Sequence, residues 1–192
     1  MAFLIHHSVN FSPIDVSNNN DQFLELIAVN ISINNSDLAV FNVYCPPSSL
    51  CARGYLPVIS NLLNNADGDS LVIGDWNGHD PAWHSLIIDD QGAHMLHEIE
   101  QSNFSILNKN SPTRLPGSNQ RSSSPDLSLI SAHLSLAVNW DVVANCRPII
   151  YRLASTSSTT SLIPVLLELS QTSSELIGTV IVASSTYFLC FR

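Results

Sequence analysis

The sequence predicts a mixed α/β sandwich built as one main domain with an appendage. Three observations lead there: several short runs rich in β-branched and aliphatic residues, two helix-length segments set between them, and turn chemistry at the joints. Residues 2–5 form an apolar run closed by His6 and His7, and the polar stretch 18–21 separates it from the next segment, so the start reads strand, loop, strand. Residues 24–33 and 38–44 are two aliphatic runs around Asn34-Asn-Ser-Asp37, which predicts an antiparallel hairpin with its turn at 34–37. Pro46 and Pro47 stop the second run, and a helix is expected over 55–63. Residues 70–74 form a short buried strand. Over 92–104, Met95, Leu96, Ile99 and Phe104 fall on one helical face. A strand at 105–107, a loop rich in Ser, Pro, Gly and Asn up to Ser124, an alternating strand at 126–131 and one more strand pair over 134–143 complete the pattern.

Composition narrows the class. Of 192 residues, 45% are hydrophobic and 12% charged, which excludes a disordered chain and provides for a core. Sixteen acidic residues against seven basic ones give a net charge of −9, and Lys109 is the only lysine. That balance disfavours broad electrostatic capture of nucleic acid, so any phosphate chemistry would need a bound cation. The four cysteines make no Cys-x-x-Cys, and the opening Met-Ala-Phe-Leu-Ile lacks a basic segment and a long apolar run. An intracellular protein, nuclear or cytoplasmic, with free thiols is expected. Residues 154–161 are almost wholly Ser and Thr, and 176–191 carry no charge but fall short of the ~20 residues that span a bilayer, so no membrane partner is expected.

The sharpest local feature is Leu71-Val-Ile-Gly-Asp-Trp-Asn-Gly-His79. A buried strand delivers Gly74, which permits close backbone approach, and then Asp75 and Asn77 on the same side of an extended backbone. A carboxylate there can orient or deprotonate water while the amide donates to a phosphoryl oxygen. The residues read equally well as a turn, because Gly-Asp and Asn-Gly are common turn pairs.

With Pro81-Ala-Trp83 behind it, this segment resembles the Gly-Asp-Phe-Asn-Ala-His…Pro-x-Trp segment of the endonuclease/exonuclease/phosphatase superfamily, in the version carried by LINE-type (non-LTR) retrotransposons. Two more segments agree in order: Phe41-Asn-Val-Tyr-Cys-Pro-Pro-Ser48 is similar to the family's Asn-Val-Tyr-x-Pro-Pro strand end, and Ser124-Pro-Asp-Leu-Ser-Leu-Ile-Ser131 to its Ser-x-Pro-Asp-Leu-x-x-x-Ser segment. Ser111-Pro-Thr-Arg114 also sits where such endonucleases have it. The resemblance covers about residues 2–150 and implies a four-layered α/β sandwich, incomplete here, leaving 151–192 as an unassigned tail.

What the resemblance implies can be placed residue by residue. Tyr44 matches the tyrosine that touches the scissile phosphate, Asp75 the aspartate that activates water, Asn77 the amide that stabilises the developing charge, and Asp126 the aspartate that orients a histidine. Mg²⁺ completes such sites, and DNA is the partner of the parent enzyme, which nicks its target beside a reverse transcriptase. Two departures follow. The family's Gln-Glu metal carboxylate has no counterpart upstream, so Met1 is expected to lie inside the domain and no residue is assigned as metal ligand. The closing Ser-Asp-His is replaced by Ala144-Asn-Cys-Arg147. A remnant with weak or no nuclease activity is therefore expected, with a non-catalytic nucleic-acid or protein-binding module as the alternative.

His94 and His97, with His79 and His84 nearby, are two helical histidines that can bind zinc, but no third ligand at motif spacing accompanies them, so surface histidines are the reading. Glu98 and Glu100 read as solvated. Trp83 reads as a loop anchor, with base stacking at a nucleic-acid groove as the substrate-binding alternative. Arg114 and Arg121 flank the loop before Asp126, where Arg114 can meet a phosphate backbone.

Overall fold

A computed structural model describes residues 1–142 apart from residues 6, 8, 20, 34–35, 65–67, 110–111 and 115–121, together with 149–153, 180–184 and 187–190. In chain order the strands and helices are β1 (Ala2–Ile5), β2 (Asn10–Ile14), β3 (Glu25–Ile33), β4 (Ser36–Tyr44), α1 (Ser60–Asn64), β5 (Asp69–Asp75), α2 (Asp90–Glu100), β6 (Phe104–Ile106), β7 (Asp126–Ser131), β8 (Val138–Val142), β9 (Ile149–Leu153), β10 (Val180–Ser184) and β11 (Tyr187–Cys190). They form a six-stranded sheet in the order β2-β3-β4-β5-β7-β6 and a five-stranded sheet in the order β1-β10-β11-β9-β8. In the six-stranded sheet β4 and β5 run parallel and the other neighbours antiparallel.

Alternation along the strands sorts the apolar residues into two cores. Val29, Ile31, Val40, Leu71, Ile73 and Ile130 face the five-stranded sheet and pack with Val138 and Trp140 of β8 and with Phe3 and Ile5 of β1. The intervening positions, Phe41, Val43, Val72, Leu127 and Leu129, face the helices and pack with Leu63 of α1, Met95 and Ile99 of α2, and the loop tryptophans Trp76 and Trp83. Each fully buried aliphatic side chain here contributes about 1.5–3 kcal/mol. The chain is thus a mixed α/β sandwich, as predicted, with three layers among the described residues. Both α-helices lie on the same face of the six-stranded sheet, so the fourth layer implied by the resemblance is not among those residues.

The expected elements are largely found, with instructive differences. β2 was not expected. It is exposed along most of its length and carries Pro13, which is tolerated because β2 is an edge strand paired only with β3. Ser36 and Asp37 belong to β4 rather than to the turn, since Ile33 pairs with Ser36. The helix expected over 55–63 is confined to α1, because Pro57 lacks a backbone donor and holds Leu56 extended. The second helix begins earlier and ends earlier than the apolar periodicity suggested. Asp89 caps it by accepting from the Gly92 N–H at 2.7 Å, and Phe104 already belongs to β6. Of the strand pair expected over 134–143, the first half is the 3₁₀ segment Ala132–Ala137 and only β8 is a strand.

Past residue 150, the described residues are strands that join the same sheet as β1 and β8. The Ser/Thr-rich run and most of the apolar tail lie outside the described residues. Among the described residues no helix is long and apolar enough to cross a membrane.

Candidate active site at the end of the six-stranded sheet

Backbone register brings the motif residues together. Glu25 pairs with Tyr44, Tyr44 with Asp75, and Asp75 with Asp126, so four residues from four adjacent strands form one row at one end of the sheet. Register partners point to the same face, here the face toward the five-stranded sheet, because Asp75 continues the alternation of Leu71 and Ile73. The hydrogen bonds continue past the strand ends: the Cys45 N–H donates to the Asp75 carbonyl at 2.8 Å and the Trp76 N–H to the Pro125 carbonyl at 2.8 Å. Gly74 has no room for a side chain, since a Cβ there would meet the backbone of Val43. This close approach seats β5 against β4 immediately before Asp75.

The electrostatics of the row are set by burial. Asp75 is 8% exposed and Asp126 4%. Burial pushes the Asp75 carboxyl up to about 6, against the opposing pull of the Asn77 backbone N–H and the Arg114 charge. Burial and the neighbouring Asp75 charge push Asp126 up to about 7, opposed by a hydrogen bond from Thr113 and again by Arg114. The Tyr44 phenol is raised by burial and by Asp75 and Glu25, so it stays protonated as a hydrogen-bond donor at neutral pH. Among the described residues, Oδ1 of Asp75 and Oδ2 of Asp126 are buried with no hydrogen-bond partner. An unpaired oxygen on each of two adjacent buried carboxylates fits a hard cation such as Mg²⁺, which takes one or two protein carboxylates and completes its shell with water and phosphate. No set of three or more His, Cys, Asp or Glu side chains suited to a metal occurs among the described residues.

The remaining predicted site residues take distinct places. The sequence places Asn77 on an extended backbone beside Asp75, but its φ is 50°, so the chain turns there, and its amide donates to the Cys45 carbonyl at 3.0 Å, tying the ends of β4 and β5 together. Arg114 is exposed and joins Ser123 in an isolated β-bridge that brings its charge near both carboxylates. Trp83 is fully buried and its indole N–H donates to the Gly78 carbonyl at 3.2 Å, so it anchors the loop and presents no open ring face to a base. His94 lies 3.8 Å from Glu98, and the Glu98 carboxylate is not simply solvated: it accepts from the Ile59 and Ser60 N–H groups at the start of α1, at 2.6 and 3.0 Å. Arg121 lies outside the described residues. Asn108 and Thr113, to which the sequence assigns no role although Thr113 lies in the Ser111–Arg114 segment, hydrogen-bond the Asp126 backbone directly. Nothing in local periodicity marks them, because their partners lie on another strand.

The match with known proteins falls on the same segments. No curated protein is significantly similar to this chain. Among solved structures, the endonuclease domain of TRAS1, a telomere-specific non-LTR retrotransposon, is similar at 14% identity with a TM-score of 0.49, covering 73% of this chain and 78% of that one. Residues 38–147, more than half of the chain and including β4, β5 and β7 with Tyr44, Asp75 and Asp126, match the endonuclease-reverse transcriptase family. The chain therefore belongs to the endonuclease-reverse transcriptase family.

Proposed function

We propose that the domain hydrolyses phosphodiester bonds of DNA, nicking one strand in a reaction that depends on Mg²⁺. The observation that carries this reading is the pair of buried carboxylates, Asp75 and Asp126, in register beside the Tyr44 phenol with one unpaired oxygen on each. Asp75 and Asp126 are the residues that would hold the cation. Bound Mg²⁺ would offset phosphate charge and polarise the P–O bond. Asp75, oriented by the Asn77 N–H and largely ionised at neutral pH, takes the proton of the attacking water. Tyr44 donates to a phosphoryl oxygen, and Arg114 supplies the cation nearest the phosphate in a chain of net charge −9. The Asn77 amide keeps one N–H beyond its bond to Cys45 for the developing charge.

A low rate is the expectation, because Asn145 and Cys146 stand where the family resemblance puts an Asp-His pair, and losing one member of an interdependent set costs about 10²–10⁶ in rate. The test is conversion of supercoiled plasmid to open circle with and without Mg²⁺, beside Asp75→Ala. Nicking that needs both Mg²⁺ and Asp75 is the expected result. Nicking that persists in Asp75→Ala overturns the assignment, and a gel shift of DNA with no nicking in either protein replaces it with a non-catalytic DNA-binding module.

A further inference from the structure

The β6–β7 ladder stops short of the site. β6 ends at Ile106, paired with Leu129, and among the described residues the last backbone contact of this edge is the Leu107 N–H donating to the Ser128 carbonyl at 2.9 Å. Toward the catalytic row, the outer edge of β7 still presents the Ser128 N–H and the Asp126 N–H and carbonyl. Three bonds from side chains take them up. Asn108, 4% exposed, accepts from the Ser128 N–H through Oδ1 at 2.9 Å and donates through Nδ2 to the Asp126 carbonyl at 2.9 Å. Thr113, 7% exposed, accepts from the Asp126 N–H through Oγ1 at 3.3 Å, and its hydroxyl also hydrogen-bonds the Asp126 carboxyl. Thr113 is itself pinned: its N–H donates to Ser124 Oγ at 3.4 Å, and Arg114 and Ser123 exchange backbone bonds at 2.9 and 3.4 Å.

We propose that Asn108 and Thr113 are positioning residues of the nuclease site, their side chains standing in for absent rungs of the β-ladder and holding Asp126 in register with Asp75. Asn108 reproduces the donor and acceptor of a strand neighbour with a side-chain amide, and Thr113 closes the N–H beyond it. The ladder with β5 holds β7 from its inner edge, while the Asp126 N–H and carbonyl point to this outer edge, where Thr113 and Asn108 take them up. The inference rests on the nuclease reading above, and a displacement of about 1 Å at a reacting group is enough to cost on the order of 10²-fold in rate.

The experiment compares Thr113→Val, Thr113→Ser, Asn108→Ala and, as a control for plain destabilisation, Ile106→Ala, which weakens β6 without touching Asp126. In plasmid nicking, Thr113→Val and Asn108→Ala are expected to lower kcat by about 10- to 100-fold with KM nearly unchanged, Thr113→Ser to recover most of it, and Ile106→Ala to keep it at a comparable loss of Tm. A fall in kcat that tracks Tm across all four variants overturns the proposal. A crystal structure of Thr113→Val decides the matter separately from activity. The Asp126 carboxylate is expected to move by about 1 Å relative to Asp75, and an unmoved carboxylate overturns the proposal even if the wild type nicks DNA. Absence of nicking in the wild type, with the carboxylate displaced in the variant, would instead overturn the nuclease reading alone.

Discussion

The strands β5 and β7 carry polar residues at both ends, and the two ends are built on opposite principles. At one end Asp69 opens β5 beside His133, whose Nε2 lies 2.8 Å from Asp69 Oδ1, with both side chains open to water. The neighbouring Ser70 N–H donates to Ser131 Oγ at 2.9 Å, and the Ser131 hydroxyl returns a bond to the Ser70 carbonyl at 3.4 Å. Charge at that end stays hydrated, and buried polar groups are paired. At the other end Asp75 and Asp126 are buried side by side, each with an oxygen that has no partner among the described residues. Leaving a buried polar group unsatisfied costs about 1–3 kcal/mol, more for a charge. The same two strands thus carry polar residues that are paired at one end and buried with unpaired oxygens at the other, and only the second placement is costly in energy.

The comparison is broken most forcefully at Asp75. Asp75→Ala is expected to lower Mg²⁺-dependent plasmid nicking by roughly 10³-fold or more, because it removes the group proposed to take the proton from water. A change of tenfold or less would leave Asp75 no more important than the paired residues at the other end.

The next effect concerns stability. In the unfolded chain both carboxyls return to the ordinary value of 3.8, while folding raises Asp75 to about 6 and Asp126 to about 7. The folded state therefore keeps protons that the unfolded state releases, so the contribution of these two groups falls as pH rises from about 4 through 7. For Asp75 the difference corresponds to a loss on the order of 3 kcal/mol, and the coupled Asp126 adds to it. Melting followed by circular dichroism without divalent cation is expected to give a lower Tm at pH 8 than at pH 5. Asp126→Asn should flatten that dependence and raise Tm at pH 8 while abolishing nicking. A Tm that climbs between pH 5 and 8 in the wild type would refute the unfavourable burial of the pair.

At the satisfied end the expected effects shrink and change kind. Ser131→Ala removes the acceptor of the buried Ser70 N–H, and a loss of about 1–2 kcal/mol in urea denaturation is expected, with the nicking rate of the folded protein unchanged. A drop in kcat without loss of stability would mean that the two ends are coupled along β7.

Much of this arrangement is legible in the sequence, and the part that is not has a physical reason. The β3–β4 hairpin, β5 and β7 follow from aliphatic runs bounded by turn residues, and Tyr44, Asp75 and Asp126 follow from motifs at the ends of those strands. Their convergence needed the register, because a parallel β4–β5 pair and an antiparallel β5–β7 pair have no local signature. The link of Asn108 and Thr113 to Asp126 stayed hidden for the same reason: it spans 18 and 13 positions of chain. The 3₁₀ segment Ala132–Ala137 misled in the other direction. Its Leu-Ser-Leu-Ala alternation reads as a strand, yet Leu136 is 97% exposed while Leu134 packs against the core, so the two leucines do not share one buried face. In the five-stranded sheet, β1 and β8 are legible as strands but their assembly is not, since β1 pairs with β10 from the far end of the chain.

The smallest expected effect is the one that best sharpens the contrast. Asp69 and His133 form the shorter of the two histidine–carboxylate contacts among the described residues, at 2.8 Å, yet their side chains are 30% and 67% exposed. Water already solvates both groups when they are apart, so the contact replaces hydration with little net gain, and salt screens what remains. His133→Ala is therefore expected to cost about 0.5 kcal/mol or less in denaturant unfolding, with that small cost vanishing at high ionic strength and no change in nicking. Removing a short, well-formed ion pair would then matter far less than removing Asp75, a carboxylate with a missing partner. A loss of 2 kcal/mol or more at His133, an upper figure well above the ~1 kcal/mol usual for exposed pairs, would mean that this end too is organised by electrostatics rather than by packing.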